Sequence, residues 1–133
     1  IPAARMKMRR PHVKPLATTA VEILRDLKSL TGNYAHAFPS QLSQGKPISE
    51  NTLNGALRRM GFSKEECTSH GFRASASSLL NESGRWQRDA IEAELSHFDA
   101  DQVRRAYHRA AYWDERVKMA DWWASEISRF LRS

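Results

Sequence analysis

One cysteine in 133 residues, Cys67, leaves no partner for an internal disulfide and too few thiolates for a zinc site. No apolar run approaches the ~20 residues that a membrane-spanning helix needs. The start, Ile1-Pro2-Ala3-Ala4, lacks the charged-then-apolar order of a signal peptide. The five histidines, His12, His36, His70, His97 and His108, have no metal-ligand spacing, and the six glycines build no phosphate-cradling loop. These absences argue against disulfide-stapled, metal-centred, nucleotide-loop and membrane-spanning classes. They predict a protein of the reducing cytoplasm that works without a cofactor. The chain also begins without Met, directly in a strand-like stretch, which predicts a piece of something longer.

What is present in excess is positive charge. Net charge is +6 and the pI is about 9.9, a balance that favours a polyanionic partner. Its distribution is uneven, because Arg5, Lys7, Arg9, Arg10 and Lys14 all precede Glu22, the first acidic residue. Such a cluster can neutralise several DNA phosphates and would make binding strongly salt-dependent. Charge alone leaves open an exposed, solvated hairpin with no ligand.

At 41% hydrophobic, the chain is long enough for one globular domain or most of one. Residues 1–16 are too charged for a buried strand, and Pro2, Pro11 and Pro15 forbid a helix. They predict a small N-terminal β-hairpin of two edge strands around a basic turn at Lys7 to Arg10. Residues 17–133 read as helical. Thr19-x-x-Glu22 is a capping box opening a helix with the stripe Ala20, Ile23, Leu24, Leu27 and Leu30, stopped by Gly32. A loop over 31–48 is expected to anchor to the core through Phe38. Ser49 caps the next helix, which carries Leu53, Ala56, Leu57 and Met60 before Gly61. Ser63-x-x-Glu66 is a second capping box. The spacing then predicts a helix from about Ser69 to Glu82, with Phe72, Ala76, Leu79 and Leu80 inward and Gly84 as its stop. Helices follow near 87–95 and 101–111. The last runs from about Asp114 to Phe130, with Met119, Trp123, Ile127 and Phe130 on one stripe.

An ordered series of polar residues runs across these elements: His70, Arg73, His97 and Tyr107. His70 and Arg73, three apart on a helix, project from one face. Arg can grip a phosphate through two parallel hydrogen bonds, His can move protons near neutrality, and a Tyr can attack phosphorus. Each has a plainer explanation: a surface Arg, a capping His, a structural His at a helix end, and a core Tyr sharing its stripe with Val103, Ala106 and Ala110. Tyr112 is a rival nucleophile, and Tyr34 is remote.

The run Ser69-His70-Gly71-Phe72-Arg73-Ala74-Ser75-Ala76 resembles the HxxR box of tyrosine recombinases, in particular integrases of prophages and genomic islands. The spacing from His97 to Tyr107 is similar to that family's. The family more often has Gly or Ala where Ser96 precedes His97, a mild departure. The resemblance implies a mainly α catalytic domain, shortened at its N-terminus, that cuts and rejoins DNA through a 3′-phosphotyrosine without metal or ATP. It implies Tyr107 as nucleophile, Arg73 as phosphate clamp, His70 for proton transfer and phosphate contact, and His97 for phosphate contact. The resemblance implies Lys7, in the run Arg5 to His12, as the family's general acid on a hairpin; the plainer explanation is a nonspecific phosphate contact, shared equally with Arg9 or Arg10. A further family Arg belongs upstream and has no counterpart here, so the chain by itself should be a poor catalyst. The implied partners are double-stranded attachment-site DNA, other protomers on that DNA, and accessory DNA-bending proteins, with no membrane. A non-catalytic helical DNA-binding module, a type IB topoisomerase-like activity and an inactive prophage remnant stay open.

Overall fold

The computed structural model describes residues 1–6, 9, 11–43, 45–96 and 112–132. The chain forms two compact units, residues 1–18 with 77–133 and residues 19–76. Among the described residues the regular elements are helical: a 3-10 turn over Ala3–Arg5, then α1 (Thr18–Thr31), α2 (Thr52–Arg59), α3 (Ser69–Glu82), α4 (Arg88–Glu94) and α5 (Trp113–Phe130). No helix among them is long and apolar enough to cross a membrane.

The expected N-terminal β-hairpin is not formed by the described residues. Ala3–Arg5 close a 3-10 turn in which the Arg5 N–H donates to Pro2 O, which spends on a local bond the groups a strand would offer sideways. One ladder-like pair remains, since Ile1 and His12 exchange both backbone hydrogen bonds, at 2.9 and 2.6 Å. The chain thus leaves and returns to one point, with no strand among the described residues between.

The unit of residues 1–18 and 77–133 holds the buried core. Leu80 from the last turns of α3, Ala90, Ile91 and Leu95 in and just after α4, and Met119 of α5 pack together, with Trp86, Tyr112 and Trp122 against them. Trp86 and Trp122 meet edge to face with centroids 5.9 Å apart, a geometry that suits the ring quadrupoles. Through this core runs an ion pair. Arg116, only 2% exposed, donates from Nε to Glu94 Oε2 at 2.8 Å and from a terminal nitrogen to Val13 O at 2.6 Å. Glu94 accepts Lys14 Nζ on its other oxygen. The first turns of α5 also hold two chain starts: Glu115 Oε1 accepts the Gln87 N–H at the head of α4, and Asp121 Oδ1 accepts the Thr18 N–H at the head of α1. That second bond replaces the expected Thr19–Glu22 box, because α1 opens one residue earlier and its first donor is met by an acid from α5.

In the unit of residues 19–76, α2 ends in a Schellman motif: the Gly61 N–H bonds Arg58 O and the Phe62 N–H bonds Leu57 O. Gly61 has φ of +96°, which a side chain would oppose. α2 itself begins at Thr52, later than the expected Ser49 cap, which instead pairs its hydroxyl with that of Thr52. Leu24 and Leu27 line a shallow hollow with Tyr34 to Ala37, but Ile23 and Leu30 of the expected stripe are exposed. Phe38 does not anchor the following loop by burial. The loop is fixed by backbone bonds instead, Ile48 N–H to Phe38 O and Ser40 N–H to Lys46 O. Nor is Phe72 inward: it is 60% exposed, because the hydrophobic core reaches only the Leu80 end of α3. The same limit leaves Ile127 and Phe130 exposed at the far end of α5.

Breaking the ion pair from either side strands a charge out of water. Glu94→Ala and Arg116→Ala are each expected to cost about 3–5 kcal/mol, read from urea unfolding midpoints. His12 gives a second expectation. It is buried, its Nε2 has no hydrogen-bond partner, and burial first and then Arg116 hold its pKa below the ordinary 6.5. The unfolded chain therefore takes up its proton before the folded one does. Stability should be complete above pH 6.5 and fall as pH drops below it. In His12→Gln the decline in melting temperature between pH 6.5 and 5 should flatten.

Candidate active site

His70 and Arg73 lie in the first turns of α3, one helical turn apart, on the same side of the helix, and both are exposed. The helix start that carries them is fastened by neutral hydrogen bonds. Thr68 stands at the cap position, and its Oγ1 accepts the Gly71 N–H at 2.9 Å. Asn54 Oδ1, from α2, accepts the Ser69 N–H at 2.8 Å. One turn further along α2, Arg58 donates to the carbonyls of both Phe62 and Cys67, gripping the connection that leads into α3. Between those carbonyls the expected box is present: the Ser63 N–H donates to Glu66 Oε2 at 2.8 Å and the Glu66 N–H to Ser63 Oγ at 3.3 Å. These bonds hold the Glu66 carboxyl below its usual pKa, the Ser63 backbone donor contributing most.

Such an arrangement suits an anion. A helix N-terminus carries partial positive charge, and a guanidinium one turn in adds a full one. The expected partners Lys7, Arg10, His97 and Tyr107 lie outside the described residues. Arg5 and Arg9 are exposed, and Arg9 has φ of +48°. Lys14, expected on phosphate, places Nζ on Glu94. Tyr112, the rival nucleophile, is half-buried, stands just before α5 and packs against the Leu80–Met119 core. Among the described residues no His, Cys, Asp and Glu cluster could hold a metal ion.

Residues 1–113 match the Phage integrase family. The chain belongs to that family. It is 46% identical over 127 residues to prophage integrase IntA of Escherichia coli (strain K12), covering 96% of this chain and 30% of the relative. It is likewise 46% identical over 124 residues to the integrase of Enterobacteria phage P4, 92% of this chain and 28% of that one. The integrase of Shigella phage Sf6 is 35% identical over 133 residues, 99% and 34% of the two chains. The chain thus spans about a third of the length of these curated relatives. No solved structure gave a significant match.

The side chains that organise this integrase-family chain around its sequence-legible residues were themselves missed. Asn54 and Arg58 sit one helical turn apart on α2, a spacing that lets both face one neighbouring segment. Arg116 and Glu94 left a clearer trace. Each occupies a position on an otherwise apolar stripe, Arg116 with Met119 and Trp123, and Glu94 with Ala90, Ile91 and Leu95. Opposite charges on two apolar stripes are a pattern that calls for pairing. Removing the cap of the His70–Arg73 helix should be measurable: Thr68→Ala is expected to lose about 1 kcal/mol in urea unfolding, with Thr68→Ser close to wild type.

Proposed function

We propose that the protein containing this chain is a site-specific recombinase that integrates or excises a mobile DNA element, and that this chain is part of its catalytic domain. The observation that carries the reading is the His70–Arg73 pair at the exposed, capped start of α3 in a chain of the integrase family. Tyr107 attacks the scissile phosphorus, forming a 3′-phosphotyrosyl bond as the bond to the 5′-oxygen breaks. Lys7 gives that oxygen its proton, leaving a 5′-hydroxyl. The 5′-hydroxyl of a partner strand later attacks the phosphotyrosine and restores the phosphodiester, so no external energy source or metal is required. Arg73 and His97 hold the non-bridging oxygens while charge gathers on them, and His70 adds a contact and a proton route. Packing of Tyr112 on the core favours Tyr107 as nucleophile.

The substrate is duplex attachment-site DNA in the cytoplasm, gripped through phosphates by Arg5, Arg9 and Arg10, with several protomers and DNA-bending proteins in the synaptic complex. A further Arg upstream of this chain completes the phosphate clamp, so the chain alone is a weak catalyst.

Covalent trapping tests the reading. The full-length protein is incubated with a nicked attachment-site duplex that loses its 5′-hydroxyl fragment after cleavage, and the products are run on a denaturing gel. A protein–DNA adduct absent only from Tyr107→Phe is the expected result, with Arg73→Ala slowed about 10²–10³-fold. Loss only with Tyr112→Phe would move the nucleophile. Absence of adduct from every form, despite confirmed binding, would overturn catalysis in favour of a DNA-binding module.

A further inference from the structure

The first turn of α3 is held without a core beneath it. α2 contributes no buried residue, and the one in α3 is Leu80, towards its other end. Leu53, Met60, Phe62 and Phe72 along this stretch are exposed. Directed bonds take the place of packing. Asn54 Oδ1 accepts the Ser69 N–H at 2.8 Å, the first donor of α3, and Thr68 Oγ1 accepts the Gly71 N–H at 2.9 Å. Arg58 acts at both ends of the connection between the helices. Its own carbonyl accepts the Gly61 N–H that closes α2, while its guanidinium donates to Phe62 O and Cys67 O. One planar fork thus ties residues 62 and 67 together, with the Ser63–Glu66 box between them. The bonds reach Cys67, Ser69 and Gly71, so they bracket His70 and end two residues before Arg73.

Hydrogen bonds at an exposed helix start add little net stability, because water would satisfy the same groups. What they supply is direction. The exposed Arg73 side chain goes where the first turns of α3 point it, and a misplacement of about 1 Å can cost about 10² in rate. We propose that Asn54 and Arg58 are positioning residues for strand cleavage, setting the first turn of α3 so that the Arg73 guanidinium meets the non-bridging oxygens of the scissile phosphate. The proposal rests on the reading of Arg73 as the phosphate clamp.

The test compares two nicked duplexes with the full-length protein, one natural and one carrying a methylphosphonate at the scissile position. A methyl group in place of a non-bridging oxygen removes the negative charge, and with it most of what a guanidinium stabilises there. Wild type is expected to cleave both and sets the reference rate on each. Arg58→Met keeps an apolar stem and loses the fork; Asn54→Ala loses the acceptor for Ser69. Both should bind the natural duplex like wild type and melt cooperatively. Arg58→Met should cleave the natural duplex about 10²-fold more slowly and Asn54→Ala about 10-fold more slowly. On the methylphosphonate both should come within about threefold of wild type. Arg73→Ala should show the same contrast. If Arg58→Met does not fold, Arg58→Lys makes the same comparison, keeping a charge but lacking the fork that spans two carbonyls.

Equal slowing of the Asn54 and Arg58 variants on both duplexes would mark a general structural loss and overturn the proposal, as would wild-type rates on both. A contrast from one of them alone would strike the other from it. Should Arg73→Ala be slowed equally on both duplexes, or wild type leave the methylphosphonate uncut, the clamp reading falls and this proposal with it. A contrast shown by Arg73→Ala and by neither of the others would keep the clamp and overturn the positioning role.

Discussion

A guanidinium removed from water beside a carboxylate is the contact around which the unit of residues 1–18 and 77–133 is arranged. Arg116 and Glu94 each give up hydration that the protein must replace bond for bond. Part of the replacement is directed bonding: Arg116 reaches Glu94 and the Val13 carbonyl, and Glu94 uses both oxygens. The arrangement also constrains its neighbour. Burial first, and then the nearby Arg116, favour His12 as neutral imidazole. A network of this kind has one satisfied geometry, so it specifies position more sharply than an apolar patch of equal area.

That geometry explains why α5 does most of its work in its first turns. Glu115, Arg116, Met119, Asp121 and Trp122 reach, in order, the head of α4, the Glu94 network, the apolar core, the head of α1 and the Trp86 ring. Two of these contacts are acids meeting N–H groups at helix starts, which have no partner within their own helix. The helix then runs on with Ile127 and Phe130 exposed. A stripe that is apolar from Met119 to Phe130 in sequence is thus core for only its first part.

The legible parts of the sequence were those set by local chemistry. Ser69–Glu82 could be bounded because Gly84 lies just past its end and the polar residues before it can cap, and both ends stand in the fold. The Ser63–Glu66 box and the Gly61 stop are likewise made by residues within a few positions of each other. Reading failed where the partner came from far along the chain. The head of α1 is met by Asp121, 103 positions away, and no local pattern could disclose that. The N-terminal hairpin failed for a related reason. Alternating charge and scattered prolines describe an exposed segment, but whether it pairs as strands depends on tertiary partners, and here the Val13 carbonyl goes to Arg116. For the candidate site, the resemblance pointed to His70 and Arg73, whereas Asn54, Arg58 and Arg116 hold backbone groups, Glu94 holds the Lys14 and Arg116 side chains, and none of the four carries a motif.

The contrast between the two fastening devices follows from what each must leave accessible. His70 and Arg73 are exposed, so burial does not hold the helix start that carries them. Directed polar bonds hold it instead: the Thr68 hydroxyl and the Asn54 amide oxygen take backbone donors, and Arg58 spends its guanidinium on the Phe62 and Cys67 carbonyls. Residues 12–14 face the opposite problem. They follow a strongly cationic stretch that would repel itself and, free in solvent, would sample many directions. A carboxylate on Lys14 and a guanidinium on the Val13 carbonyl fix the end of that stretch from inside the protein. Before it, Arg5 and Arg9 are exposed. Burying an ion pair is costly where only packing is needed, and here it also fixes the Val13 carbonyl and the Lys14 ammonium group.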